Sequence, residues 1–370
     1  MKVPFLDLVT ETDLLRDEIR AAIEACLRGA TFVFGPDHAA FEAEFGKFLG
    51  GAGVAAVGSG TDALYLALRA LGVGQGDEVI CPSFTFVATA EAILRTGARP
   101  VFADVQRDTL GLDPDAAESA VTPRTKAILP VHLYGMPADM DALLAVARRH
   151  GLRVVEDAAQ AHGATWNERM VGTLGDLGCF SFYPTKNLGA FGDAGAVVGR
   201  DAGLLDEIRV LANHGRRDWH THVAVGVNSR MDDIQAAVLR VKLRRLAEWN
   251  ESRRRSARGY LARLADVPGV VLPPPPDSDP ARPVYHLFVI ESEDRDGLAA
   301  HLKARGVATG RHYPVPVHLQ PGYADLGYEE GSLPATEWAA GHVLSLPMFP
   351  GLSEEQLDVV ASAIREFAYR

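Results

Sequence analysis

Between about residues 50 and 200, short apolar blocks alternate with longer stretches whose apolar residues recur at helical spacing. Val54-Ala55-Ala56-Val57 reads as a strand, followed by Gly58-Ser59-Gly60 and a helix from Thr61 that Gly72 ends. Glu78-Val79-Ile80-Cys81 reads as the next strand, stopped by Pro82. Phe86 to Leu94 reads as helix, and Pro100 to Ala103 and Lys126 to Val131 as strands. Asp139 caps a helix that runs to His150, with Gly151 just past its end. Leu152 to Glu156 is a further strand, which delivers Asp157. Strands that are apolar throughout are buried on both faces, so this half predicts a mostly parallel α/β sheet covered by helices on both sides.

From Met231 to about Ala265 the helical pattern runs on without a break, a rise of roughly 50 Å and enough to bridge two domains. Pro273-Pro274-Pro275-Pro276 then forms a stiff, non-helical marker. Beyond it the chain alternates strand (Tyr285 to Ile290), helix (Asp296 to Arg305), a strand-like Val307 to Tyr313 and a terminal helix from Glu354. The expected division is a large domain over 1–245 and a small α+β domain over 246–370, each long enough to bury its own core.

A net charge of −11 argues against a nucleic-acid partner and leaves room for a small phosphorylated ligand held by local donors. No apolar run approaches the roughly 18 residues needed to cross a bilayer, so no membrane partner is expected. The opening Met1-Lys2-Val3-Pro4-Phe5-Leu6-Asp7 turns acidic too early for a secretory leader. Cys26, Cys81 and Cys179 lie in apolar contexts and read as reduced core residues, which suits a cytoplasmic setting.

The candidate chemistry lies in Ser181-Phe182-Tyr183-Pro184-Thr185-Lys186-Asn187-Leu188-Gly189, a couple of dozen residues after Asp157. Of the six lysines, Lys186 alone sits in a turn of Ser, Tyr, Pro and Gly rather than on a polar helix face or near a terminus. Pyridoxal phosphate needs these two groups, an amine to bond its aldehyde and a carboxylate to hold its ring nitrogen protonated. Asp157 at the end of a buried strand would be costly to bury without such a cation. Gln160 is placed to meet the ring hydroxyl. Asp157 and His162 offer metal-ligating atoms, but no third ligand stands at a suitable spacing, so no metal is expected.

Gly58-Ser59-Gly60-Thr61-Asp62-Ala63 matches the G-x-G-x-x-A dinucleotide fingerprint in letters only. The acidic residues at the expected distance, Asp77 and Glu78, precede their strand, whereas a ribose-binding acid follows it. The remaining readings are a plain strand-to-helix turn, or a helix N-terminus that presents N–H groups and the Thr61 hydroxyl to one phosphate. Phe86, on the same sheet edge, either packs in the core or stacks on a flat ring.

Together these segments resemble the fold-type I pyridoxal-phosphate enzymes, and within them the DegT-type sugar aminotransferases, over essentially the whole chain. The resemblance runs through Val3-Pro4-Phe5-Leu6-Asp7-Leu8, Gly60-Thr61-Asp62-Ala63-Leu64 and Pro82-Ser83-Phe84-Thr85-Phe86. It continues in Glu156-Asp157-Ala158-Ala159-Gln160-Ala161-His162-Gly163, Ser181 to Gly195, Asn228-Ser229-Arg230-Met231-Asp232 and Tyr313-Pro314 through Pro321. It implies a large domain with a mostly parallel seven-stranded sheet and a small C-terminal domain. By position, Lys186 matches the lysine that holds the cofactor and moves the proton, and Asp157 the pyridine-nitrogen partner. Gln160 matches the residue beside the ring hydroxyl, Phe86 the stacking aromatic, and Gly60, Thr61 and Ser181 the phosphate ligands. Asn228 matches an asparagine that reaches the neighbouring subunit's phosphate, which implies a homodimer with shared sites. Phe86 stands where some members carry Trp or Tyr, and Ala194 where a glycine is common.

The implied activity is transfer of an amino group from an amino acid, glutamate by expectation, to a keto nucleotide sugar. Candidate substrate contacts are Tyr183, His214, Arg216, Tyr313 and His318, with Arg230 a further candidate and Arg217 expected on a solvated face. The segments around Lys186 and Tyr313 look most like members that aminate a dTDP-3-keto-6-deoxyhexose, since 4-keto-acting members often carry histidine in place of Gln160. Alternatives are a 4-keto sugar, a ketocyclitol, or a cofactor-binding regulator, which would be marked by loss of Lys186 or Asp157.

Overall fold

The computed structural model describes residues 1–369. Seven strands form the main sheet in the order β1-β9-β8-β5-β4-β2-β3. These are β1 (Gly53–Val57), β2 (Glu78–Pro82), β3 (Arg99–Ala103), β4 (Thr125–Ile128), β5 (Arg153–Asp157), β8 (Leu177–Ser181) and β9 (Gly195–Gly199). A small hairpin, β6 (Thr165–Trp166) and β7 (Arg169–Met170), intervenes in the chain. Only β9 runs against its neighbours; the others share one direction, so their carboxyl ends meet at one edge.

Successive residues of each strand feed opposite faces, which is why the strands are apolar throughout. Ala55, Val57, Val79, Cys81, Val155 and Cys179 join one core with the helices Gly60–Ala70, Ala88–Arg95 and Ala202–Ala212. Val54, Ala56, Phe180 and Ala196 pack on the other face with Phe41, Phe45, Ala236 and Leu239, and Ile80, Ile128 and Val154 with Met140, Leu143 and Val146. The helix Met140–His150 has the expected ends, the Asp139 carboxylate accepting from Ala142 N–H and Gly151 left-handed at φ 65°.

The long helix expected from Met231 to Ala265 is two helices, Asp233–Leu243 and Leu246–Leu264. Arg245 N–H bonds the Lys242 carbonyl, a tightened turn that redirects the chain without glycine or proline. The second helix buries Leu246 with Phe180 and Ala196 of the large sheet, Trp249 against Leu15, Ile19, Val238 and Val241, and Ala257, Tyr260 and Leu264 in a separate core. That second core surrounds an antiparallel sheet of β10 (Val270–Val271), β12 (Phe288–Ser292) and β13 (Val343–Leu346), with the helices Arg295–Ala304 and Glu354–Ala368. The short strand β11 (Ala281–Arg282) instead pairs with β6. The stretch Val307 to Tyr313 is not a strand: Val307 and Gly310 make single bridges, to Val3 and Ser345.

Candidate active site

The shared carboxyl edge brings the ends of β1, β2, β5 and β8 together. At the end of β1, Ser59 caps the helix Gly60–Ala70, its hydroxyl accepting from Asp62 N–H at 3.1 Å. The first-turn N–H groups of Gly60 and Thr61 have no carbonyl one turn earlier to bond, which leaves a positive helix end at this point. Gly60 is needed sterically: a Cβ there would lie 2.5 Å from Ser181 Cβ. Gly195, at the start of β9, faces the same corner, where a Cβ would lie 2.3 Å from the Ser59 carbonyl oxygen. Ser229 braces the loop from outside, accepting from Gly58 N–H at 3.0 Å and donating to Asp62 at 2.8 Å.

Asp157 closes β5 and is buried. Its carboxylate accepts from the Thr89 hydroxyl at 2.9 Å and from Ala159 N–H at 3.2 Å. Burial pushes its pKa above the usual carboxylate range, against the pull of those two donors and of the nearby Lys186 charge. The preceding Glu156 points to the other face, where Gly172, Leu174 and Gly175 N–H groups at 2.6–2.7 Å and the His132 ring at 3.0 Å hold it. Gln160 Oε1 accepts from Tyr134 N–H at 2.6 Å, and its amide nitrogen donates to the Tyr313 hydroxyl at 3.2 Å. Phe86 lies two residues before the helix Ala88–Arg95 and is 53 % exposed, with its ring centroid 5.9 Å from that of Tyr313. It therefore presents a face to the crevice rather than packing in the core.

Lys186 lies in the turn after β8, its amine in a desolvated setting. Burial lowers its pKa to about 8, with Asp157 pulling the other way. Burial desolvates His162, His286 and His312, and the lysine charge adds to it, which brings His162 down to about 3 and His312 to about 4 and lowers His286 well below its ordinary value. All three are neutral at physiological pH. Thr89 and Tyr134 were not singled out from the sequence. Thr89 is signalled only by a hydroxyl one helical turn after Thr85, whose hydroxyl it meets at 3.0 Å.

Among the candidate substrate contacts, Tyr183 is exposed at the turn and Tyr313 lies on Gln160. His318 departs from the expectation: it is 1 % exposed, with Nδ1 2.7 Å from the Ser83 hydroxyl and Nε2 3.2 Å from Glu337. Both ring nitrogens are taken up inside the protein, so His318 is a packing residue here rather than a substrate contact. His214 and Asn228 are exposed, and Arg216 stacks over Trp219 at 4.9 Å. Arg230 bonds Asn213 at 2.9 Å and lies over Phe34. Arg216, Arg217 and Arg230 line one surface groove with Phe34, His38 and Asn213, apart from Asp157 and Gln160. Arg217 pairs with Asp206 on the solvated face, as expected.

The residues fit a pyridoxal phosphate. Gly60 lets Ser181 pack against the start of its helix, so the hydroxyl lies beside the N–H end that suits one phosphate, and a buried acid with raised pKa calls for a cation beside it.

The DegT/DnrJ/EryC1/StrS aminotransferase family matches residues 13–365. A curated relative, the dTDP-3-amino-3,4,6-trideoxy-alpha-D-glucose transaminase of Streptomyces venezuelae, is 51 % identical over 100 % of this chain and 97 % of its own. The erythromycin biosynthesis sensory transduction protein EryC1 of Saccharopolyspora erythraea is 52 % identical over 99 % of each chain. The crystal structure of S. venezuelae DesV in complex with a ketimine intermediate superposes with a TM-score of 0.97 at 50 % identity, covering 100 % of this chain and 99 % of that one. Other solved neighbours carry the cofactor in its pyridoxal or pyridoxamine form. Among the described residues, no helix is long and apolar enough to cross a membrane. The chain belongs to the DegT/DnrJ/EryC1/StrS aminotransferase family.

Proposed function

We propose that this chain is a pyridoxal-phosphate-dependent aminotransferase that moves an amino group from L-glutamate to a dTDP-3-keto-6-deoxyhexose. The observation that carries the chemistry is the pairing of a desolvated lysine, its pKa lowered to about 8, with a buried aspartate whose pKa is raised. Pyridoxal phosphate, when bound, supplies an electron sink for cleavage of the Cα–H bond. Asp157 holds the ring nitrogen protonated, and Thr89 and Ala159 N–H keep its carboxylate aimed. Gly60, Thr61 and Ser181 receive the phosphate, Phe86 covers the ring face, and Gln160 meets the ring hydroxyl. Lys186 takes a proton from the donor's Cα and would pass it to the carbon of the cofactor's aldehyde; in the second half-reaction it would move a proton from that carbon to the acceptor's keto carbon. Its pKa near the working pH leaves both protonation states populated, which one group acting as base and then acid requires.

The same reading includes a cytoplasmic homodimer in which Asn228 completes the neighbouring subunit's phosphate site. Within each subunit, residues 1–245 carry the cofactor and 246–370 form the smaller domain. The exposure of Asn228 and His214, and the surface groove that Arg216 and Arg230 line without Asp157, support a role across that interface. The dTDP carrier and amination at carbon 3 rest on the name of the Streptomyces venezuelae relative at 51 % identity and on Gln160. The test is turnover of a panel of 3-keto and 4-keto nucleotide sugars and free ketocyclitols with glutamate. The 3-keto dTDP sugar is expected to be fastest, and faster turnover of a 4-keto isomer or a ketocyclitol would overturn the substrate assignment. Absence of turnover on every acceptor, with Lys186 and Asp157 intact, would favour a regulatory role.

A further inference from the structure

We propose that Asn250 is a positioning residue for Lys186, its side-chain amide setting the lysine-bearing turn against the aspartate-bearing turn. Asn250 lies on the helix Leu246–Leu264 and is 2 % exposed. Its Oδ1 accepts from Asn187 Nδ2 at 3.0 Å, one residue after the lysine. Its Nδ2 donates to the His162 carbonyl at 2.7 Å, in the turn that carries Asp157 and Gln160. One amide therefore joins the two segments whose spacing sets the distance between amine and acid.

The surroundings are built for that contact. Gly163 has φ +88°, and a Cβ there would lie 2.8 Å from Asn250 Nδ2, so the glycine lets the peptide approach the amide. Asn187 also donates to the Val284 carbonyl at 3.2 Å, and its Oδ1 lies 3.2 Å from His286 Nδ1. The chain His286–Asn187–Asn250–His162 carbonyl is buried and paired at each link, which specifies one arrangement of the segments it joins. The preceding helix, Asp233–Leu243, holds the later part of the lysine turn: Lys242 donates to the Gly189 carbonyl at 2.8 Å, and Gln235 bonds both backbone groups of Phe191. Of these three side chains, Asn250 alone reaches the aspartate turn. A lysine on a flexible four-carbon stem has no other fixed reference than its own backbone, and small displacements of a reacting group are costly to rate.

This inference rests on Lys186 being the reacting amine, and its test reads that amine directly. Full-length protein freed of cofactor is labelled with an amine-reactive reagent across a pH series, and modification of Lys186 is followed by peptide mass spectrometry. The wild-type midpoint is expected at about 8. In Asn250→Ala, loosening the turn admits water to the amine, and the midpoint should rise by about half a unit, which slows labelling at pH 7 about threefold. Asn187→Ala breaks the same bridge from its other end and gives the test a second route if Asn250→Ala does not fold. The double variant should shift no further than the larger single one. Folded single variants with lower Tm and unchanged midpoints would assign Asn250 a purely structural role and overturn the proposal, as would additive shifts. Cofactor trapped on another lysine would instead defeat the catalytic reading of Lys186.

Discussion

Asp157→Asn separates charge from shape at the centre of the proposed site. The asparagine keeps the volume, its oxygen still accepts from Ala159 N–H, and its amide can donate to the Thr89 hydroxyl, which is free to turn its own hydrogen toward Thr85. What is lost is the negative charge beside a ring cation. A unit ion pair at about 3 Å in an effective dielectric of about 20 is worth about 5 kcal/mol. The cost of keeping the carboxylate buried offsets part of this, and about 3–4 kcal/mol of barrier, or 10²- to 10³-fold in rate, is the expected loss. The assay is a single-turnover half-reaction with glutamate, following keto-acid release, so that product release does not mask the step. Two further signs follow from burial. Asp157 holds the Lys186 pKa up, so the variant's lysine should titrate below about 8. An acid whose folded pKa is raised destabilises the fold increasingly as pH rises from its unfolded value through the raised one. The penalty grows through that window, so the Tm of cofactor-free Asp157→Asn should gain on that of wild type as pH is raised through it. Turnover within about threefold of wild type in a folded variant would refute the reasoning, since that is under 1 kcal/mol.

Lys186→Ala should bind cofactor without a covalent link, so borohydride should no longer fix it to the chain; label retained on another lysine would reassign the nucleophile. Gly60→Ala places a methyl 2.5 Å from Ser181 Cβ, a strain of about 1–3 kcal/mol, and equilibrium dialysis should find cofactor binding weakened about 5- to 150-fold. Mixing Lys186→Ala with Asn228→Ala protein should restore activity above either parent through heterodimers with one intact site, and no recovery after demonstrated subunit exchange would return Asn228 to its own subunit. His318→Ala removes two buried hydrogen bonds, so calorimetry should find a lower Tm, about 1–3 kcal/mol per group left unpaired, with the sugar KM unchanged.

What was legible in the sequence was local. Asp139 and Gly151 mark their helix because a cap acts over one turn, and the strand ends at Val57 and Asp157 are legible because their apolar runs stop there or just before. The break at Arg244 and Arg245 carried no such mark. It follows from Leu246 and Trp249 packing against two clusters of the first domain while Ala257, Tyr260 and Leu264 serve the second core, a demand made by distant packing. His318 misled for the same reason, since Ser83, its hydrogen-bond partner, is 235 residues away in the chain. Asn250 had a faint local signal, a polar residue among the buried positions Leu246, Trp249 and Arg253, but its meaning lay in Asn187 and His162.

The lysine and aspartate are each unfavourable alone: burial lowers the amine's pKa and raises the acid's, and each pulls the other back only in part. The imidazoles of His162, His286 and His312 do not relieve this, because the same desolvation and the lysine charge keep them neutral. A cation next to Asp157 that does not come from Lys186 would lower the acid's pKa again and release the lysine from its pairing. A protonated pyridine held by its phosphate at Gly60 and Ser181 meets that requirement. The lysine is then free to exchange protons near neutral pH, and the stability lost to burying two uncompensated groups is recovered as affinity for the cofactor.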